Sequence, residues 1–566
     1  MPRVEAPQHD GYVPSRSSIL GRAPQNDIVL RGQILVGRLM SSERHSPILR
    51  ASVVSAAGTG LSRVMGAVRD VVLSHVFGAG RASDAFWLAW TVPSVFRRFV
   101  ADEGLTGALI PAVGQAEEAE GPAGARRLAG AALAALVLAC AVVCVGGILA
   151  APWLVRVFAW GFTRDPAKFE LTVTLTRWLF PFVASVSLVS YCEALLNYKG
   201  HFFVPKIAPG VVSGSIAASA LFLANRFQEP VYSLVVGALV GGLVHVLICI
   251  PPLVMRWGPV IPLASGWRTP RFRRLLREMG KVALIGLVAQ SNVVLLRLIA
   301  SFLEEGSVTQ YWYAARVVDL AQGAVAVGVG SALLPTISRD AAARNWDDFR
   351  SHFSEAVHLV AFVMLPAAGL LLALAPAIVG LLFRHGAFDG EAAARTSATL
   401  QMLIPFMLAL AGTNIVKKVF FAVDDRTSLL LVGAIGLVVT AGLGYPLSAR
   451  LGVKGLGLSL SLSTSLQLLA YVAILRRTMG SRLALRELAT PVWKMALAAV
   501  PASLLAVLIC GVGEWDRGPA SLFNWVLLGT AALAGGGAYL AAAWALDVRV
   551  LRSLLGRVRR SDPPAS

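Results

Sequence analysis

The chain has 566 residues, of which 56% are hydrophobic and 15% charged, with a formal net charge of +19 and a mean hydropathy of +0.67. A soluble globular protein carries about 25% charged residues, so this composition excludes one and describes a membrane protein. The five cysteines, Cys140, Cys144, Cys192, Cys249 and Cys510, all lie in apolar runs; they read as small core residues, and with no third ligand beside Cys140 and Cys144 they argue against a metal site.

The first 45 residues are polar and rich in Arg, Ser, Pro and Gln, without the apolar centre of a signal peptide. They are expected to form a disordered cytoplasmic tail. About fourteen apolar spans follow, at 49–77, 83–113, 127–158, 170–198, 206–225, 232–255, 280–303, 309–338, 352–383, 394–422, 428–448, 454–475, 491–512 and 520–546. A helix of about 20 such residues crosses a hydrocarbon core. Runs such as "LAGAALAALVLACAVVCVGGILAAPWL" do not alternate in polarity, which excludes a barrel. The basic segments "GWRTPRFRRLLREMGK" (266–281), "RRTMGSRLALRE" and "RVLRSLLGRVRR" fall on the side of the amino terminus, whereas "LEEGSV" and "GVGEWDRGPAS" on the other side are poor in Lys and Arg. The positive-inside rule then predicts that both termini are cytoplasmic. It also accounts for the net charge without a nucleic-acid partner.

Two stretches about 225 residues apart echo each other: "FGAGRASDAFWLAWTVPSVFRRFVADEGLTGALIPAV" (77–113) and "LEEGSVTQYWYAARVVDLAQGAVAVGVGSALLPTIS" (303–338). Such duplication predicts an all-α polytopic fold with two six-helix lobes, a plan common among transporters. The expected organisation is a tail over 1–45, a first lobe over 46–255, an amphipathic cytoplasmic linker over 256–280 lying along the anionic leaflet, a second lobe over 281–477, two further spans over 478–548 and a basic tail over 549–566.

Within the spans the costly residues are charges, at about 2.5–3.5 kcal/mol each at a helix centre. The first span holds Arg63, Arg69 and Asp70; the second holds Asp84, Arg97, Arg98, Asp102 and Glu103; the seventh and eighth hold Arg297, Arg316 and Asp319. At about 100° per residue Arg63 and Asp70 share a face and Arg69 points elsewhere, so Arg63 reads as a cavity cation while Arg69 and Asp70 suit helix-to-helix pairing. Arg97 and Arg98 follow Pro93, which bends the helix; ideal phasing puts Arg98 nearer Asp84, and one of the two suits an interfacial anchor. Arg297 suits a snorkelling anchor, Glu193 and His245 satisfied packing residues, and Tyr311, Trp312 and Tyr313 an interfacial belt. Arginines present a permanently charged planar fork to phosphate or carboxylate, so the guest they imply is an anionic head group. There is no GxxxxGK[ST] loop and no GxSxG with a matching His, so neither nucleotide hydrolysis nor another enzymatic activity is expected.

"SRVMGAVRD", "VFGAGRASDAFWLAWTVPSVFRR" and "GSVTQYWYAARVVDLAQGAVAVGVGSALLPTIS" resemble the MurJ (MviN) lipid II flippases of the MOP exporter superfamily, and the resemblance extends over about residues 45–545. It implies fourteen helices in two MATE-like lobes, with two carboxyl-terminal helices forming a groove for a lipid tail. The implied activity is transfer of the undecaprenyl-pyrophosphate-linked peptidoglycan precursor, lipid II, from the cytoplasmic to the outer leaflet of the bacterial inner membrane by alternating access. The implied substrate-binding residues are Arg63, Arg69, Arg97, Arg316 and Asp84, with Asp70 matching and Arg98 secondary. Three departures stand out: Ala315 precedes Arg316 where the family carries Asp, which makes Asp319 the candidate charge partner; "ADEGL" replaces "AEGAF"; and Ser94 replaces Asn. No cofactor or metal is implied; membrane potential or a monovalent cation is the expected driving force, and membrane lipids and the cell-wall synthesis machinery are the further expected partners. Open alternatives are a MATE-like ion-coupled exporter, a flippase for another polyprenyl-linked saccharide, and a non-transporting cell-wall scaffold.

Overall fold

The computed structural model describes residues 46–97, 103–201, 203–262, 264–480, 485–515, 518 and 521–552. The tail over 1–45, Arg98, Asp102 and most of the basic tail after 549 lie outside the described residues. The chain divides into Met1–Val54 and Ser55–Ser566, and the packing below is that of the second unit.

Among the described residues every regular element is a helix: α1 (Ser46–Phe77), α2 (Arg81–Arg97), α3 (Glu103–Phe158), α4 (Pro166–Leu179), α5 (Pro181–Tyr198), α6 (Phe203–Leu223), α7 (Tyr232–Trp257), α8 (Pro270–Ala300), α9 (Ser307–Ala342), α10 (Trp346–Phe383), α11 (Gly390–Ala422), α12 (Arg426–Leu451), α13 (Val453–Met479), α14 (Leu485–Cys510) and α15 (Leu522–Ala545), with short 3-10 turns between some of them. Each expected span is helical over most of its described residues, the second being divided between α2 and α3, and nine described helical stretches are long and apolar enough to cross a membrane by length and composition. The helices α1, α2 and α9, which carry the polar residues singled out above, fall outside that set.

Local chemistry sets the boundaries. Asp165 accepts from the amides of Ala167 and Lys168, and Pro166 opens α4; Thr269 and Pro270 do the same for α8. Asp389, Asp425 and Ser521 cap α11, α12 and α15. Each side-chain oxygen takes an amide that the first helical turn leaves unpaired. Gly121, at φ 69° and ψ −172°, breaks α3 into a segment ending at 120 and the long third span. Pro181 opens a new helix inside the expected fourth span, so that span consists of α4 and α5. By contrast α8 runs through residue 280 without interruption, so the basic segment and the seventh span form one helix.

In the first lobe α2 packs on α4, α3 on α5, and α7 on both α5 and α6. In the second, α9 packs on α10 and α11, and α13 on α11 and α12. Small residues permit the close crossings: a Cβ at Gly237 of α7 would stand 2.7 Å from the Ile216 Cα of α6. The helix α8 joins the lobes. Its Phe272 and Leu275 pack with Leu128 and Ala129 of α3, and Ile299 near its other end touches the bare backbone of Gly444 in α12. The last two helices pair with each other and lie against α10, where Tyr539 donates to the Phe362 carbonyl at 2.9 Å.

Candidate functional site

The charged residues of α1 and α9 interleave. Gly66 of α1 and Gly323 of α9 have no side chain, and each recess is filled from the opposite helix. A Cβ at Gly66 would overlap Arg316 Nη2, and one at Gly323 would overlap Arg63 Nη1. Arg63 also donates to the Asp319 carbonyl at 3.3 Å. Arg63, Arg316, Asp319, Leu320, Gln322 and Gly323 line a cavity of about 280 Å³.

Behind it lies Asp70, fully buried. Its Oδ1 accepts from Arg69 Nε at 2.9 Å and Nη2 at 2.7 Å, and its Oδ2 stands 3.2 Å from Arg316 Nε. One carboxylate therefore serves an arginine from each lobe. Two expectations are corrected here. Phasing sent Arg69 away from Asp70, since adjacent helical residues do not face each other; the length of the arginine side chain folds the guanidinium back over its neighbour. The partner expected for Arg316 was Asp319, one turn along, whereas the ion pair comes from Asp70 on the facing helix.

A second cluster joins the lobes at the end where α1 turns into α2 and α8 into α9. Gly306 opens α9 at φ 87° with no side-chain cap of its own. Asp84 of α2 supplies that cap from the other lobe: Oδ2 accepts from the Gly306 amide at 2.8 Å, and Oδ1 from the Thr309 amide at 2.9 Å and hydroxyl at 2.7 Å. Lys168 of α4 adds an ion pair at 2.9 Å, and the Asp84 side chain is 1% exposed. Asp84 was expected among the substrate-binding residues; in this conformation its oxygens are committed to holding the lobes together, and it is not among the residues lining the cavity. Around it the Arg81 amide donates to Glu305 at 2.6 Å, the Gly161 amide to Ser301 Oγ at 3.0 Å and the Ala387 amide to the His75 carbonyl at 2.9 Å. The His75 and His385 rings meet edge-on, with centroids 5.2 Å apart. Burial, assisted by the charge His75 would carry, pushes the His385 imidazole below its ordinary value.

Between these clusters runs an aromatic column. Trp87 of α2 stacks on Trp312 of α9 at 4.1 Å and 17°, with Arg69 over the Trp87 ring at 5.3 Å and Arg297 over Trp312 at 5.0 Å. Trp312 and its neighbours therefore form part of the lobe interface, where Tyr313 is fully buried, and do not form the expected interfacial belt. Arg297 likewise does not snorkel: it is 6% exposed, held between Tyr311 and Trp312. Arg97 ends α2, half-buried and outside the cavity lining. Glu193 is paired with Lys206 at 2.6 Å, and His245 is buried with, among the described residues, no hydrogen-bond partner for either ring nitrogen. The five cysteines are unbridged. Sequence reasoning passed over Gly66, Gly323, Lys168 and Thr309.

The family model described as lipid II flippase MurJ matches residues 73–527. The chain is similar to the lipid II flippase MurJ of Burkholderia cenocepacia, 28% identical over 439 residues that cover 76% of this chain and 84% of that protein. It is also similar to the probable lipid II flippase MurJ of Rhizobium tropici, 31% identical over 70% of this chain and 75% of the relative. A solved structure described as lipid II flippase MurJ in an inward closed conformation superposes with a TM-score of 0.72 at 18% identity, covering 89% of this chain and all of that one. An inward-facing multidrug resistance MATE transporter of the MOP superfamily superposes at 0.62 and 14% identity, over 76% of this chain and 98% of that one; both likenesses carry the fold. Family model, relatives and architecture agree, and the chain belongs to the lipid II flippase MurJ family.

Proposed function

We propose that this protein carries lipid II across the membrane, binding its anionic head group between the lobes. The observation that carries this reading is the reciprocal seating of Arg63 and Arg316 over the glycines of each other's helix, around one cavity. Two guanidinium forks from opposite lobes suit a pyrophosphate, whose oxygens accept from both. Asp70 is the resident anion; an arriving pyrophosphate competes with it for Arg316 and frees the lobes to move. Charge-assisted hydrogen bonds offset the desolvation of the head group, and the polyprenyl tail remains in lipid beside α14 and α15.

With both termini cytoplasmic, the Asp84 cluster lies at the outer face and closes it, and the cavity is reached from inside. Rocking then requires Asp84 to release the amino terminus of α9. Outward movement of an anion is favoured by an inside-negative potential at about 2.3 kcal/mol per charge per 100 mV. A MATE-like exporter of organic cations is disfavoured, since cations are recognised by acids and aromatic faces whereas this lining presents two arginines and one aspartate.

The test is to deplete the flippase of a bacterial host, supply this chain or its Arg63→Ala variant, and measure cleavage of lipid-linked precursor by an enzyme added outside. Wild type restores cleavage and Arg63→Ala does not. Equal rescue by Arg63→Ala removes the cavity reading. Absence of rescue by correctly inserted wild type removes the flippase reading.

A further inference from the structure

We propose that the groove between the start of α3 and the basic stretch of α8 binds the phosphate of an anionic membrane phospholipid. The groove encloses about 290 Å³ and shares no lining residue with the cavity above. Its floor is apolar, with Ala108, Ala112 and the buried Leu275, and its rim carries Arg271, Arg274 and Glu278. Arg271 is oriented by an ion pair with Glu120, which also takes Arg127 at 3.5 Å. Arg274 is exposed and, among the described residues, has neither a carboxylate nor a hydrogen-bond partner.

The element presenting these arginines is fixed. Phe272 and Leu275 are buried against α3, Trp267 Nε1 donates to the Ala131 carbonyl at 3.0 Å, and Thr269 caps the helix. Its outward side combines Arg273, Arg274 and Arg277 with Leu276, which is 45% exposed. A helix that exposes cations and leucine together suits the plane where head groups meet acyl chains. Free phosphate would engage the guanidinium forks alone; the apolar floor gains only from an occupant with a glycerol and acyl portion. A bilayer phospholipid with a net negative head group satisfies both, and Glu278 on the rim disfavours anions not held by the floor. This inference needs the basic end of α8 to lie at a leaflet surface; it does not need the cargo assignment.

The experiment titrates the full-length protein in detergent with a fluorescent short-chain phosphatidylglycerol, with phosphatidylcholine of the same chains as comparison and inorganic phosphate as competitor. Phosphatidylglycerol binds about tenfold more tightly than phosphatidylcholine, a difference of one decade in Kd. Arg274→Gln weakens it about fivefold, the usual loss for one basic contact at an anionic surface, and Arg271→Gln/Arg274→Gln weakens it further. Millimolar inorganic phosphate does not displace it. Because Arg274 has no partner, its substitution leaves the fold intact, so unchanged affinity in Arg274→Gln overturns the proposal. Equal binding of phosphatidylcholine also overturns it, as does displacement by inorganic phosphate, which would define an anion site indifferent to lipid. Binding lost in Arg63→Ala places the lipid in the central cavity and overturns it too, whereas failure of precursor transport with intact lipid binding counts only against the cargo reading.

Discussion

Replacing Asp84 by alanine removes three hydrogen bonds that cross from α2 to the amino terminus of α9, at 2.8, 2.9 and 2.7 Å. Bonds to a charged acceptor contribute about 1.5–3 kcal/mol each; at the low end the latch holds the lobes together by about 4.5 kcal/mol, and its loss multiplies the ratio of open to closed molecules about a thousandfold. A population of about 1% open would then become mostly open. Thr309→Val removes one donor and leaves Lys168 paired, so its effect is about tenfold, one bond's worth. Spin labels at Arg226 and Glu391, in a background without the native cysteines, report the separation of the lobes by double electron–electron resonance. Asp84→Ala also strands the Lys168 ammonium, whose side chain is 8% exposed, and lowers Tm on that account; Asp84→Ala/Lys168→Met removes the stranded charge and leaves only the loss of the cap on α9. The reasoning is refuted if Asp84→Ala lowers Tm while its distance distribution superimposes on that of the wild type, for Asp84 would then act only within its own lobe.

Gly323→Ala should displace the Arg63 guanidinium without changing any charge, reducing precursor transport by at least the factor of Gly66→Ala in the same exposure assay, because its Cβ overlaps the guanidinium more deeply. Trp87→Ala should cost about 3–5 kcal/mol as a buried tryptophan, and a cycle with Trp312→Ala should return a coupling of about 1 kcal/mol from the stacked pair, measured by chemical denaturation in detergent. Because the His385 imidazole is held below its ordinary value of 6.5, the open or unfolded state binds the proton more readily. Stability is therefore complete above that value and declines as pH falls through it; melting curves of wild type should drop between pH 7 and 5 more steeply than those of His385→Gln.

The helical class and the apolar spans were legible because apolar length is a property of the sequence itself, and nine of the described helical stretches are long and apolar enough to cross a membrane. The placement of Asp84 was not, because the cap it provides belongs to a helix more than two hundred residues away and depends on the lobes being closed. Arg69 illustrates a different limit: a helical wheel locates Cα atoms, whereas a guanidinium on its long stem reaches back to Asp70 next door. Gly66 and Gly323 were silent because a residue that matters by leaving room carries no chemical mark. Trp312 read as a belt residue since an aromatic at a span's entrance meets either lipid head groups or, as here, its counterpart in the other lobe.

That last contact has a geometric consequence. Asp84 meets Thr309 across a separation of 225 residues, and Trp87 meets Trp312 across the same interval. A constant interval means that α2 and α9 run parallel and in register along this seam, with one helical turn between the polar contact and the ring stack. The two contacts are therefore mechanically tied: a slide of one helix along the other that frees Asp84 from Thr309 also unstacks Trp87 from Trp312.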